Sequence, residues 1–271
     1  MARDTRGPSY TMHLDDTLKS SIYGAQIPNI SFLYEVSTTK NPNYNVGDRV
    51  ILGDQREFVY SKNKGSRILP NSEACSFTDA GQIAWTSGTA YDVGVSIITI
   101  PTPTHAAAFA VDYLRGGFVV IYQVGGEMFR GILGNDYSAI NADVTIYLDA
   151  PTTAAIVDAN AYEVFGNPYM YMDNETGMSP AINAFGGPPV VDVPATESYF
   201  WMQLKGVAHI TPQPNMDGIG ATGFMWKGDG SAQALATALG VTTQVDSSTQ
   251  YAGFRIGGNQ DGNGPIVYLQ G

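Results

Sequence analysis

From residue 113 to 169 the chain reads YLRGGFVVIYQVGGEMFRGILGNDYSAINADVTIYLDAPTTAAIVDANAYEVFGNPY, short apolar runs rich in β-branched and aromatic residues. Gly, Asn and Pro cut these runs at close intervals. The runs at 118–122, 128–133, 144–148 and 161–165 each have the length of a strand, and Gly-Gly, Gly-Asn or Asp-Ala-Pro supplies the break between them. Upstream, 45–53 and 56–60 form two further strand-like runs around a Gly-Asp turn, which predicts a hairpin. YDVGVSIITI at 91–100 alternates before Pro101 and Pro103 stop it. Downstream, Tyr199 to Leu204 is an aromatic strand, followed by Gly-spaced runs at 224–226, 253–257 and 266–269.

Helical signals are few. Thr104 to Arg115, THAAAFAVDYLR, is the clearest: Thr104 can cap it, three alanines favour it, and Gly116 can close it in the left-handed conformation. Its Ala, Phe and Leu side chains then serve core packing. Residues 14–23 and 231–239 are shorter candidates. No fixed-period repeat occurs, which disfavours propellers and solenoids. The predicted fold is mainly β, an antiparallel sandwich or barrel-like body with an extended N-terminal arm and one or two short helices. Three regions follow in series: an arm at 1–45, a β-rich body at 46–206 and a Gly-rich β region at 207–271, which can belong to the same domain as the body.

The arm is broken by Pro28 and Pro42, and its Ile30, Phe32, Leu33, Tyr34 and Val36 cannot bury themselves alone. Either they belong to a flexible terminus, or they pack on the body or on a neighbouring subunit. In the same way Tyr199, Phe200, Trp201 and Met202 are four large side chains in a row. A strand must divide them between its two faces, two toward the core and two toward a covering sheet or subunit. These eight residues, Ile30, Phe32, Leu33, Tyr34, Tyr199, Phe200, Trp201 and Met202, are the candidate interface.

Composition sharpens this picture. Charged residues make up only 14% of the 271 residues, well below the roughly 25% of an average soluble protein. Gly (31), Tyr (16) and Pro (15) recur along the whole length. So few charges leave much of the surface to be covered by other subunits, or to be solvated by Ser, Thr, Asn and Gln. The net charge of -11 repels phosphates and anionic lipid heads, so neither nucleic acid nor membrane is an expected partner. No apolar run reaches the roughly 18 to 20 residues that span a bilayer, and the N-terminus lacks the apolar core of a secretory signal. The single cysteine, Cys75, excludes an intrachain disulfide.

Candidate chemistry is thin. His13, His105 and His209 have no paired spacing, and Cys75 in SEACSF has no basic neighbour in sequence to activate it. Residues 218–223 satisfy GxGxxG, but they follow a Pro-broken stretch and lead into FMWKG, so a phosphate finds no helix N-terminus. Asn259, Asp261, Asn263 and Gly264 match the front of a calcium loop, yet position 12 is the amide Gln270. The expectation is a protein without catalytic, cofactor or metal residues, not an enzyme. A glycan-active enzyme on a β-scaffold is the competing reading, and carboxylates clustered in an aromatic groove would support it.

The ordered series GDRV, EFVYSKN, LRGGFVVIY, GEMFRGILGN, TIYLDAP, YEVFGNPY and ESYFWMQLKGVA, over about residues 45–210, resembles the structural proteins of tailed bacteriophages, in particular the β-rich capsid decoration or cement proteins. The resemblance implies a virion protein bound over major capsid protein subunits on the capsid exterior, as a homotrimer, assembled in the host cytoplasm and without a cofactor. A head-fibre or tail component contacting host glycans through Tyr and Trp is the alternative it leaves.

Overall fold

The computed structural model of the chain describes residues 11–14, 30–77, 81–87, 89–105, 107–123, 126–157, 160–174, 184–210, 223–226, 232–234, 250–257 and 266–270. The fold is mainly β, its sheets are antiparallel in all but one strand pairing among the described residues, and it includes a sheet curled into a half-barrel. The first four strands are β1 (Thr11–Leu14), β2 (Arg49–Leu52), β3 (Glu57–Lys62) and β4 (Ser76–Phe77). The next six are β5 (Gly81–Ser87), β6 (Ile97–Ile100), β7 (Phe118–Tyr122), β8 (Met128–Asn135), β9 (Val144–Leu148) and β10 (Ala161–Phe165). The last six are β11 (Met172–Asp173), β12 (Tyr199–His209), β13 (Gly223–Trp226), β14 (Ala232–Ala234), β15 (Gln250–Gly257) and β16 (Ile266–Leu269).

These strands fall into two compact units, residues 79–170 in one and residues 11–78 with 171–271 in the other. The first is thus inserted in the sequence of the second. Neither edge coincides with an arm, body and tail in series: β1 and the turn at Ser31–Tyr34 belong to the same unit as β12, and β12 runs straight through residue 206.

In the inserted unit six strands pair antiparallel in the order β5-β10-β7-β8-β9-β6. Alternate residues of β7 and β9 are buried, so each strand turns one set of side chains inward. Val119, Ile121, Ile132, Val144, Ile146, Tyr162 and Val164 build the core from the sheet, and Phe109 and Leu114 enter it from the loop before β7. Tyr91 closes the outer side of β6. Its hydroxyl accepts the Thr99 N–H at 2.7 Å and donates to the Thr99 carbonyl at 3.1 Å, while Tyr91 itself pairs with Ile156.

The expected helix at 104–115 does not form. Phe109 exchanges backbone hydrogen bonds with Ser138, Asp112 donates to the Asn135 carbonyl, and the Leu114 N–H donates to Asn135 Oδ1 at 2.7 Å. Asp112 adopts a left-handed φ of 61°, which ends any helical run there. Asn135, fully buried at the end of β8, also donates to the Ala110 and Asp136 carbonyls. These tertiary partners replace the i−4 carbonyls that a helix would have supplied, and Phe109 and Leu114 still reach the core. The alternation at 91–100 becomes strand only from Ile97 onward. Of the two shorter helix candidates, Leu14 closes β1 and 232–234 form β14; the rest lies outside the described residues.

The other unit holds an eight-stranded sheet in the order β1-β2-β3-β12-β16-β15-β13-β14. The expected hairpin is β2 and β3, paired antiparallel, and β1 adds to β2 in parallel at the sheet's edge. The arm is therefore partly docked on its own chain: besides β1, the 3-10 turn Ser31–Tyr34 buries Leu33. Along β12 the burial pattern changes. Phe200 to Leu204 are buried without interruption, and from Lys205 exposed and buried residues alternate. Over the first stretch one edge of β12 pairs with β3 and the other with the segment at 188–190, through Val190 N–H to the Trp201 carbonyl and Gln203 N–H to the Pro188 carbonyl. A second cluster, with Phe185, Ile210, Trp226, Val267 and Leu269, fills the sheet beyond.

Candidate functional site

The site begins with a register. Trp201 on β12 lies directly opposite Tyr60 on β3, so both rings stand on one face of the sheet, and Tyr199 joins them two residues earlier. Phe32 comes from the 3-10 turn and Tyr44 from the loop that leads into β2. Trp201 meets Tyr60 and Tyr44 at ring-centroid distances of 5.2 Å and Phe32 at 5.5 Å, the last two edge-on. Tyr60 stacks on Tyr199 at 5.9 Å, and Phe32 on Tyr44 at 5.6 Å. Such spacings are those of rings in mutual contact. The five form a continuous aromatic cluster, with Trp201 and Tyr60 buried and Phe32, Tyr44 and Tyr199 half-buried on its pocket side.

The segment 35–45 forms the rim. Ser37 and Tyr199 exchange backbone hydrogen bonds, the Asn41 N–H donates to the Tyr60 hydroxyl at 3.1 Å, and Lys40 Nζ donates to Asn45 Oδ1 at 2.7 Å. Between rim and cluster lies a pocket of about 270 Å³, lined by Phe32, Glu35, Ser37, Thr39, Lys40, Asn41, Pro42, Tyr44, Tyr60, Tyr199 and Trp201. At its outer side Lys62 Nζ sits 5.7 Å from the Tyr199 ring centre and pairs with Glu197.

Burial raises the pKa of the Tyr60 phenol to about 12, with the nearby Tyr199, Tyr44 and Glu35 adding to the shift and the Asn41 N–H opposing it. Burial, and then the Glu35 carboxylate, also raises that of Tyr44. Both stay protonated donors at neutral pH. Below pH 10 the Tyr60 phenol is neutral whether the chain is folded or not. Between 10 and about 12 the unfolded chain releases a proton that the folded one keeps, so stability is expected to fall across that window as pH rises. Urea melts below and within it will check this, and Tyr60→Phe should flatten the difference.

Of the eight candidate interface residues, the structure brings three together here: Phe32, Tyr199 and Trp201. Leu33 is buried in the core, Tyr34 is exposed, and Ile30 is half-buried. Phe200 and Met202 are buried too, on the opposite face of β12. Tyr44, Tyr60 and the rim were not among those candidates. Tyr60 was legible as the aromatic position of EFVYSK; nothing in NPNYN distinguishes Tyr44 from a turn residue.

The remaining candidates stay apart from this site. His105 is buried, stacks on Phe109 at 4.3 Å and holds the Ala107 carbonyl through Nδ1; His13 lies in β1 and His209 ends β12. Cys75 is buried, and burial, with Asp173 and Glu73 beside it, pushes its thiol pKa up, away from nucleophilic reactivity. Residues 218–222 and 259–264 lie outside the described residues. Among the described residues no group of three or more His, Cys, Asp and Glu is placed to hold a metal ion. No protein-family model matches the chain, and no curated protein and no solved structure shows significant similarity to it.

Proposed function

We propose that this chain is a structural protein of a tailed-phage virion, a capsid decoration protein that binds over major capsid protein subunits and adds to the cohesion of the shell. The observation that carries the reading is apolar surface on a chain poor in charge. Val93, Ile97, Val111, Phe129, Tyr137, Ile140 and Val157 in the inserted unit, and Tyr34 and Ile68 in the other, are all more than half exposed, in a protein with 14% charged residues. Apolar surface of this kind is suited to covering by other protein subunits.

The test uses heads stripped of the protein and then re-supplied with it. Rebinding in proportion to capsid subunits, as a trimer, with DNA retained to a higher temperature than in stripped heads, is the expected result. Heads that lose DNA at the same temperature with and without the protein would remove the decoration role. A few copies per particle, at a vertex or on the tail, would favour instead a head-fibre or tail component contacting host glycans, a reading that the aromatic pocket supports.

A further inference from the structure

We infer that the pocket between β12 and the segment 35–45 is a binding site for a single neutral pyranose ring, a sugar unit presented by a glycan. The inference is independent of the particle assignment, because a decoration protein and a fibre component can each carry such a site.

The aromatic cluster supplies the first requirement. A pyranose has a face of C–H groups, and the half-buried rings of Tyr44 and Tyr199, backed by the buried Tyr60 and Trp201, present aromatic surface to lie against it. Because those rings touch one another at 5.2 to 5.9 Å, no gap between opposed faces remains for a quaternary ammonium group to enter. The rings pack on one another at interplanar angles of 14° to 78°, so the arrangement is an aromatic wall and not a cage.

Hydrogen bonding is the second requirement. The Tyr60 oxygen accepts the Asn41 N–H, and among the described residues nothing accepts its own proton. Tyr44, Tyr199 and the exposed Glu35 also line the pocket. The pocket thus joins phenol donors to an anionic acceptor, the mixture that a polyol's hydroxyls, each donor and acceptor, can satisfy together. Glu35 and the net charge of -11 disfavour a phosphorylated or sulfated ligand, and the Lys40 ammonium at the rim is held by Asn45 Oδ1.

Size and order are the third. About 270 Å³ lies just under the range of drug-sized sites, roughly 300 to 1,000 Å³. That is room for one ring, with the rest of a glycan outside. The rim is tied down at Ser37 and Asn41 before any ligand arrives, which lowers the ordering cost of binding.

Saturation-transfer NMR on the full chain will test this, with the methyl pyranosides of glucose, galactose, mannose and N-acetylglucosamine as probes and tetramethylammonium chloride as a competing probe. At least one pyranoside should receive saturation on its ring C–H protons. Glu35→Gln, a change at an exposed side chain, should weaken that sugar by about tenfold or more, and Tyr44→Ala should do the same if it folds. Binding of tetramethylammonium alone would overturn the assignment. So would a lack of transfer to every pyranoside, or undiminished binding by a folded Glu35→Gln variant, which would place the sugar elsewhere.

Discussion

Replacing Trp201 with alanine should destabilise the unit built on the eight-stranded sheet by about 3 to 5 kcal/mol, a fall of roughly 10 °C in Tm. The indole is 2% exposed and meets Phe32, Tyr44 and Tyr60, which come from three different segments. Its loss opens a void that none of them can fill alone, since Tyr60 is fixed by its register in β3 and Phe32 by a turn anchored on buried Leu33. Chemical denaturation of the purified variant is the measurement. An unchanged midpoint, with loss of assembly only, would mean that the ring faces a partner.

A comparable loss, about 3 kcal/mol, is expected from adding a single methyl group at Gly117. A Cβ there would stand 2.2 Å from the Phe165 carbonyl oxygen and 2.9 Å from that of Leu114. Both obstacles are backbone, so relief requires the end of β10 to move away from β7, against the pairing of Phe165 with Phe118. Gly94 provides the contrast: its φ of 92° is left-handed, but its surroundings are open. Gly94→Ala should therefore cost about 1 to 2 kcal/mol from conformation alone. Thermal melts of the two variants side by side will show whether crowding outweighs backbone strain; equal losses would contradict the argument.

The sequence was most legible where burial alternates. β7 and β9 have the bounds that their apolar runs predict, because a strand with one buried face writes its period into the chain. It was least legible where distant groups decide the backbone. THAAAFAVDYLR has the composition of a helix, and what prevents one is Asn135, twenty residues beyond its end, offering better placed hydrogen bonds. The insertion of residues 79–170 was hidden for a related reason: the strands on either side of each junction have the same composition as those within. The aromatic pocket was half visible. Tyr199 and Trp201 stand out in a row of large side chains, whereas Tyr44 and the rim residues belong to a loop without periodicity.

The Tyr91 hydroxyl has a consequence for how this protein tolerates crowding. An outer strand with unpaired N–H and C=O groups is a template on which another chain's strand can add, and proteins usually block it with lysine, proline or a bulge. This chain has 14 Lys and Arg in 271 residues and spends none within Ile97–Ile100. Instead one phenol oxygen occupies both backbone groups of Thr99. A side chain from a neighbouring loop thereby takes the place of the next strand, and sheet growth by cross-β templating from one molecule to the next is stopped at that residue, even where copies are concentrated at close quarters.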